Sequence, residues 1–402
     1  MPWEAKTVEM KRREFVERVL SHEASKAALC REYNISRPTG DKWIKRYQAG
    51  ESLQDLDRAP HTVANRVSAD MEQMVVQYRL RYPAIGAVKL HRMLADEGYT
   101  NLPCARTINA ILQRNNFITP EASNAMKPYQ RFEKEQPNEM WQADFKGHFE
   151  MKDHVRCHPL NIIDDYSRFN LCCEPLPGES FADVQPSMIR IFQEYGLPKT
   201  FLCDNGNPWG TSQSTGFTRF EVWLMDLGIL TIHGRIRHPQ TQGKEERFNQ
   251  SMTRELLKQT EFLNMEDARK KCQEYREFYN QKRPHMALNL DTPASHYQTS
   301  PRCFPTSIAP WDYSDEFKLH RVKSTGYITI LGQGYFLSEA FGDRTIAIRQ
   351  SIHPGQFDIC YRQFILGRLD TDKRVFVFKK AYLLENDPRK TKEKGDASLA
   401  NV

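Results

Sequence analysis

No apolar run in the chain approaches the length needed to span a bilayer, so no membrane partner is expected. Residues 1–13 mix acids and bases, a pattern of neither a signal peptide nor a transit peptide. Cysteine is scattered: nine residues, single apart from Cys172-Cys173, and none in a Cys-x-x-Cys pair. An odd count in this pattern points to a reducing cytoplasm, with thiols serving as small apolar side chains. A zinc-binding domain near the start would need two His and two Cys at ligand spacing. His22 and Cys30 do not supply them, and no structural zinc is expected. Neither sign of charge dominates, with 57 Lys and Arg against 51 Asp and Glu. A formal net charge of +6 allows a polyanionic partner without requiring one.

What is present is a long, ordinary globular composition, 39% hydrophobic and 27% charged. A chain of 402 residues exceeds one compact core and predicts two to four domains. The first, 1–50, reads as three short helices. Phe15, Val16, Val19 and Leu20 recur at helical spacing, and Ser25 suits an N-cap. Asn34-Ile35-Ser36 makes a turn, and Pro38 fits the first turn of a third helix over 37–47. This is a helix-turn-helix layout, and Arg37, Thr39, Lys42, Lys45 and Arg46 form the side expected to face DNA. After a linker over 52–65, a second helix-turn-helix-like domain, 66–117, carries helices near 69–81, 86–97 and 105–114. Its DNA-facing candidates are Arg106, Thr107, Asn109 and Arg114. Either bundle taken alone fits a plain solvated surface equally well, since surface bases usually just solvate a face. Residues 118–137, with Lys127, Tyr129, Arg131, Phe132 and Lys134, read as a linker that either lies along DNA or is solvated.

From 137 to 300 the order is strand, strand, strand, helix, strand, helix, strand, helix. Strands are expected over 155–163, 169–176, 199–203 and 229–236, and helices over 180–195, 242–260 and 265–279. That order matches a ribonuclease H-like α/β fold, a mixed sheet flanked by helices. Residues 315–385 hold short strand-like runs, 327–337, 345–349, 356–361, 364–369 and 375–378, divided by Gly, Asp and Pro. They predict a small β-barrel, with a plain β extension as the alternative. Residues 389–402 are charged and rich in small residues, and read as disordered. The architecture expected is therefore multidomain: α, then α/β, then β.

Three carboxylates stand in distinctive local sequence. Asp144 lies in Trp141-Gln142-Ala143-Asp144-Phe145-Lys146-Gly147, and Asp204 between Phe201-Leu202-Cys203 and Asn205-Gly206. Glu246 follows His238-Pro239-Gln240-Thr241-Gln242-Gly243-Lys244-Glu245 and precedes Arg247-Phe248-Asn249. Carboxylates on two strands and one helix are what a two-metal phosphodiester site requires, because hard divalent cations take oxygen ligands.

At these residues the chain resembles the DDE transposases of bacterial insertion sequences, a group related to retroviral integrases. Ile163-Asp164-Asp165-Tyr166-Ser167-Arg168-Phe169 looks like the hairpin after the family's first catalytic strand. Tyr279-Asn280-Gln281-Lys282-Arg283-Pro284-His285-Met286-Ala287-Leu288, with Thr292-Pro293, resembles the segment that ends the core. The series covers about 137–298, and the N-terminal arrangement is similar to single-frame members of the group. One departure is the interval between the second and third acids, 42 residues, longer than usual, with the excess in 207–217, a Pro/Gly/Ser/Thr-containing loop.

The resemblance implies a bacterial, cytoplasmic transposase that acts on double-stranded DNA. It would bind the terminal inverted repeats of its element, cleave DNA 3′ ends with Mg²⁺ (two ions, Mn²⁺ substituting) and join them to target DNA. It would work as a homodimer or higher oligomer. Asp144, Asp204 and Glu246 would be both metal-binding and catalytic. Glu245 and Glu246 are adjacent, and helical geometry does not choose between them. The family's Gln-Gly pattern selects Glu246 and leaves Glu245 a solvated neighbour. Lys244 and Arg247 are phosphate-contact candidates that would set register rather than sequence. His238, Gln240 and Gln242 could position a DNA end. Lys146 and His148 either touch phosphate or lie on the surface. Asp164 and Asp165 shape a hairpin with Ser167, and Arg283 and His285 serve packing or helix capping. Two other readings stay open: a DNA-binding protein keeping the core as scaffold, and a ribonuclease H-like nuclease that cuts without joining.

Overall fold

The computed structural model describes residues 7–55, 67–118, 133–210, 216–234, 243–351, 355–373 and 375–384. Two compact units divide the chain, Met1–Arg66 and Val67–Val402. The linker residues Lys127, Tyr129, Arg131 and Phe132, part of the 207–217 loop, and the tail over 389–402 lie outside the described residues.

In the first unit, α1 (Val8–Leu20), α2 (Lys26–Glu32) and α3 (Arg37–Gln48) each begin at a hydroxyl cap. Thr7, Ser25 and Ser36 accept the N–H groups of Met10, Ala28 and Thr39, which satisfies donors that a helix start leaves free. Phe15, Val16, Leu29, Cys30, Trp43 and Leu53 close the core. Helix α3 crosses so near that a Cβ on Gly40 would lie 2.9 Å from the Cys30 sulfur and 3.0 Å from Phe15 Cζ. Only glycine permits that approach.

The second unit opens with α4 (Ala69–Arg81), α5 (Ala87–Asp96) and α6 (Ala105–Arg114), packed around Val75, Leu90, Leu94, Ile108, Ile111 and Leu112. A mixed sheet follows. Its strands are β1 (Met140–Phe145), β2 (Phe149–Glu150), β3 (Arg156–Asp164) and β4 (Asn170–Leu176), then β5 (Thr200–Cys203) after helix α7 (Phe181–Tyr195), and β6 (Leu230–His233) after helix α8 (Arg219–Asp226). The order is β2-β3-β1-β5-β6, with β4 on β3. Strands β1, β3 and β4 pair antiparallel, whereas β1, β5 and β6 pair parallel. Helix α9 (Gly243–Met252) continues into a wider π-type turn, Thr253–Leu257, before α10 (Met265–Gln281). The short β2 was not expected from sequence, where residues 149–150 show no run of their own.

The motif at the end of the core proves to be a fastening. Asn280 accepts the Asn170 N–H at 2.8 Å and donates to the Asn170 carbonyl at 2.9 Å, so it pairs with the first residue of β4 as a strand would. Arg283 forms a fork-to-fork pair with Glu255, 2.7 and 2.8 Å, with both side chains under 10% exposed. His285 packs on the Tyr279 ring at 4.6 Å, and burial, helped by the Arg283 charge, pushes its pKa down to about 2. It is a neutral packing residue. The three-helix unit α4–α6 is seated on the same helix: Tyr82 stacks on Phe278 at 5.2 Å, and Arg92 meets Asp291 at 3.3 Å.

The last strands are β7 (Lys318–Arg321), β8 (Tyr327–Ile330), β9 (Gln333–Phe336), β10 (Thr345–Gln350), β11 (Gln356–Tyr361), β12 (Phe364–Asp370) and β13 (Val375–Leu383). The small barrel expected over 315–385 is not closed among the described residues. The strands form an open antiparallel sheet, β13-β12-β11-β10-β7, and a separate hairpin, β8-β9. The physical reason lies in the core contact. Phe217, Val222 and Met225 share one hydrophobic cluster with Ile328, Phe341, Ile346, Ile359 and Phe364, so α8 covers a face that a barrel would cover with its own wall. The single strand expected over 327–337 is the β8-β9 hairpin. Leu331 and Gly332, both at positive φ, make its two-residue turn, and Ile330 pairs with Gln333.

Replacing Glu255 by Ala should leave the buried Arg283 guanidinium unpaired and lower the free energy of unfolding by about 3–5 kcal/mol. Urea denaturation of the two proteins side by side measures the difference.

Candidate active site

Strands β1 and β5 run parallel in a register that pairs Met140 with Thr200, Trp141 with Phe201 and Gln142 with Leu202. Asp144 follows on β1 and Asp204 just past the end of β5, near enough for the Asp204 charge to act on Asp144. Trp141, Ala143, Phe201 and Cys203, all buried, show why the strands lie here: their alternate side chains fill the main core. Burial first, and then the Asp204 charge, pushes the Asp144 pKa up to about 6. Asp204 follows its strand in a tight turn, where the Gly206 N–H donates to Asp204 Oδ1 at 2.9 Å. A Cβ on Gly206 would lie 3.2 Å from that carboxylate, so the glycine keeps the space in front of it open.

Helix α9 covers this pair. Asn249 donates from Nδ2 to Asp144 Oδ2 at 3.1 Å, and its own Oδ1 accepts from Asn161 on β3 at 2.7 Å. Asn161 and Asn249 thus orient the first acid, a role not read from sequence. The available signal was an Asn between the apolar residues Leu160 and Ile162 of a strand, which needs a buried polar partner.

The adjacent glutamates separate sharply. Glu245 is 1% exposed and neither of its carboxylate oxygens has a hydrogen-bond partner. Burial, and next the charge of Asp144, raises its pKa well above the usual range. Glu246 is exposed and accepts from Gln250 at 3.2 Å. Glu245 is therefore not the solvated neighbour expected, because it shares the inward face of α9 with Phe248, Asn249 and Met252. Among the described residues no group of three or more His, Cys, Asp or Glu is gathered closely enough to hold a metal ion. Asp144 and Asp204 come together, and Glu246 does not join them in this arrangement.

Lys244, expected at a phosphate, instead turns inward. Its Nζ lies 2.5 Å from the buried Asp165 carboxylate and 3.1 Å from the Asp165 carbonyl. Burial lowers its pKa. Arg247 is exposed. Asp164 accepts the Ser167 N–H and hydroxyl at 2.8 and 2.6 Å, which is the hairpin role expected of it. Lys146 is half-buried, and His148 is exposed with its ring 5.4 Å from that of His158. His238, Gln240 and Gln242 lie outside the described residues.

On α3, Arg37, Lys42 and Lys45 are exposed, while Thr39 is half-buried, its hydroxyl 2.8 Å from that of Ser36. Arg46 faces inward: it is buried, donates to the Gln54 carbonyl at 3.2 Å and meets Glu51 at 3.3 Å. Its place on the inner side of α3 beside Trp43 removes it from the exposed basic side. On α6, Arg106 is exposed, Thr107 and Asn109 are half-buried, and Arg114 is exposed but paired with Glu72.

The comparisons with known proteins agree with this anatomy. The integrase core domain family matches residues 134–239, and a second integrase core domain family matches 227–293. A helix-turn-helix domain family matches 11–61. The Spiroplasma virus SpV1-C74 protein named "Putative integrase ORF3" is 38% identical over 143 residues, 33% of this chain and 40% of that protein. The 31.7 kDa protein of insertion element IS407 from Burkholderia multivorans is 28% identical over 159 residues, 39% of this chain and 54% of its own. The chain spans about half the length of the curated relatives it matches. The magnesium complex of the HTLV-2 integrase catalytic core (trimeric form) aligns over 40% of this chain and 98% of its own, at 17% identity and a TM-score of 0.32, a distance at which it carries no argument.

Because the fold disfavours the ionised form of Asp144, its destabilising effect is absent below the ordinary carboxylate value of 3.8, grows as pH rises, and is complete above about 6. Asp144→Asn should therefore stabilise the metal-free protein by roughly 1–3 kcal/mol at pH 8 and by little at pH 4. Urea midpoints at the two pH values check the sign.

Proposed function

We propose that the chain is a DDE transposase of an insertion sequence that binds the terminal inverted repeats of its element, cleaves DNA 3′ ends and joins them to target DNA. The observation that supports this reading is that Asp144 and Asp204 lie near each other at the ends of two parallel core strands. Burial, and next the Asp204 charge, makes the ionised form of Asp144 costly, and its raised pKa reports that cost.

The donor set of Asp144 and Asp204 fits a hard divalent cation, since both offer only oxygen, while Glu246 stands away from them in this arrangement. Asp144 and Asp204 would hold Mg²⁺, as two ions, with Mn²⁺ substituting, and Glu246 would complete the set as the family motif assigns. Bound there, the metal supplies polarisation of a phosphoryl oxygen and activation of the attacking one. The chain's own residues do the positioning. Asn249 fixes the face that Asp144 presents, and Gly206 leaves room for a DNA backbone beside Asp204. Helices α3 and α6 would read the element ends through Arg37, Thr39, Lys42 and Lys45 and through Arg106, Thr107 and Asn109. Arg247 would contact phosphate. Two ends must be held at once, so the working form is a homodimer or larger assembly on DNA, in the bacterial cytoplasm.

The test uses the purified protein, Mg²⁺ and a labelled duplex carrying the element's terminal repeat. Wild type should cleave the 3′ end and join it to a second DNA. Asp144→Asn and Glu246→Gln should lose both steps by at least about 100-fold, since each removes a group the transition state depends on. Glu245→Gln should keep them. Tight end binding without cleavage in Mg²⁺ or Mn²⁺ would instead favour a DNA-binding scaffold, and cleavage without joining a nuclease.

A further inference from the structure

Asp204 stands one residue past the end of β5, where strand pairing gives out. The last ladder contact is the Gly234 N–H donating to the Cys203 carbonyl at 2.9 Å. Something else must hold the second acid in place. Across the strand pair, in register with Cys203, is His233. Its Nδ1 lies 2.8 Å from the Asp204 carbonyl oxygen, and its Nε2 lies 2.8 Å from Glu221 Oε1. Both partners are acceptors, so the ring serves the two together when both nitrogens carry protons. The His233 and Glu221 side chains are only 18% and 10% exposed, which makes this a built contact rather than a surface encounter.

Glu221 is itself fixed from the other side. Its Oε2 accepts the Thr218 N–H at 2.6 Å, and its own N–H donates to Thr218 Oγ1 at 3.1 Å, a reciprocal cap at the start of α8. The Thr218 hydroxyl reaches the Trp209 carbonyl at 3.3 Å, in the loop that leaves Asp204. Trp209 is buried, 4.8 Å from the Phe220 ring and 5.7 Å from that of Phe145, the neighbour of Asp144. The hydrogen bonds therefore form a loop that starts at the Asp204 main chain and returns to its own turn. The far side is anchored on the C-terminal sheet region. Ser338, 6% exposed, donates to the Phe217 carbonyl at 2.9 Å, and Phe217 packs edge-on against Phe341 at 5.4 Å.

We infer that His233 and Glu221 are positioning residues for Asp204. They tie its main chain to the start of α8, which the C-terminal β region holds, so that region supports the active site from behind. The inference rests on Asp204 being a metal-holding acid. Neither residue touches the reacting atoms. Both act through the backbone that aims the Asp204 carboxylate, as outer partners of metal ligands commonly do.

The test compares wild type with His233→Phe, which keeps a ring but neither donor, and His233→Asn, whose amide can still donate to the Asp204 carbonyl. Glu221→Gln is measured too, because its amide can keep the cap on Thr218 if His233→Phe folds poorly. Three quantities are read: Mn²⁺ affinity by calorimetry without DNA, kcat and KM for cleavage of an end duplex, and the unfolding midpoint. His233→Phe should weaken Mn²⁺ binding and lower kcat about 10–100-fold with KM for DNA unchanged. His233→Asn should recover most of both, and Glu221→Gln should fall between. Wild-type Mn²⁺ affinity and kcat in His233→Phe and Glu221→Gln would overturn the inference. So would a loss that His233→Asn fails to rescue and that merely tracks the unfolding midpoint. Asp204→Asn separates the two levels. If it keeps wild-type Mn²⁺ affinity and cleavage, Asp204 is not a metal-holding acid, and the positioning role falls with that reading.

Discussion

The core holds two carboxylates, Asp144 and Asp204, near each other in a site that water only partly reaches. Burial makes the charged form of Asp144 costly, and the nearby Asp204 charge adds to that cost. Such a pair persists only when the backbone beneath it is rigid. The parallel pairing of β1 and β5, filled behind by Trp141, Phe201 and Phe192, provides that rigidity. Asn249 and Asn161 then fix one acid from the helix side. The fold maintains an electrostatic strain at its open edge that a bound cation would relieve.

The helices and the succession of strands and helices along the core were legible in the sequence because each rests on a local signal. Ser25 as a cap, Gly196 after α7 and the apolar face of residues 181–192 act within a few residues of themselves. Which way a side chain turns is a different kind of fact. The motif names Glu246, but the phase of α9 against the sheet puts Glu245 inward, and that phase is set by Phe248 and Met252 packing on residues a hundred positions away. Arg46 and Lys244 read as basic and therefore outward. In the structure each finds an acceptor outside its own helix, the nearby Gln54 carbonyl for Arg46 and the distant Asp165 carboxylate for Lys244. Periodicity reports burial of apolar residues well and burial of paired charges poorly, because pairing partners leave no periodic trace.

The C-terminal strands show the same limit at the scale of a domain. Their composition suggests a closed barrel, since each run is short and bounded by turn residues. Closure is a property of edges, however, and the sheet's apolar face packs on α8 together with the separate β8-β9 hairpin. Asp226 makes the junction specific. It pairs with Arg344 at 2.6 Å and Arg362 at 3.5 Å while accepting the Tyr361 hydroxyl, so a core helix and the β region share a buried charge network. A buried carboxylate with that many partners fixes one docking geometry more firmly than apolar contact alone would.

The two three-helix bundles look alike in sequence, yet the structure treats them differently. The first forms its own compact unit, whereas the second belongs to the unit that holds the acids. Tyr82 on Phe278 and Arg92 on Asp291 seat the second bundle directly on α10 and the segment after it. Helix α6, with Arg106 exposed, is therefore carried on the same body as Asp144 and Asp204. A helix fixed in that way stays at a constant distance from the acids, independent of the linker ahead of it, and the Tyr82–Phe278 contact helps to set that distance.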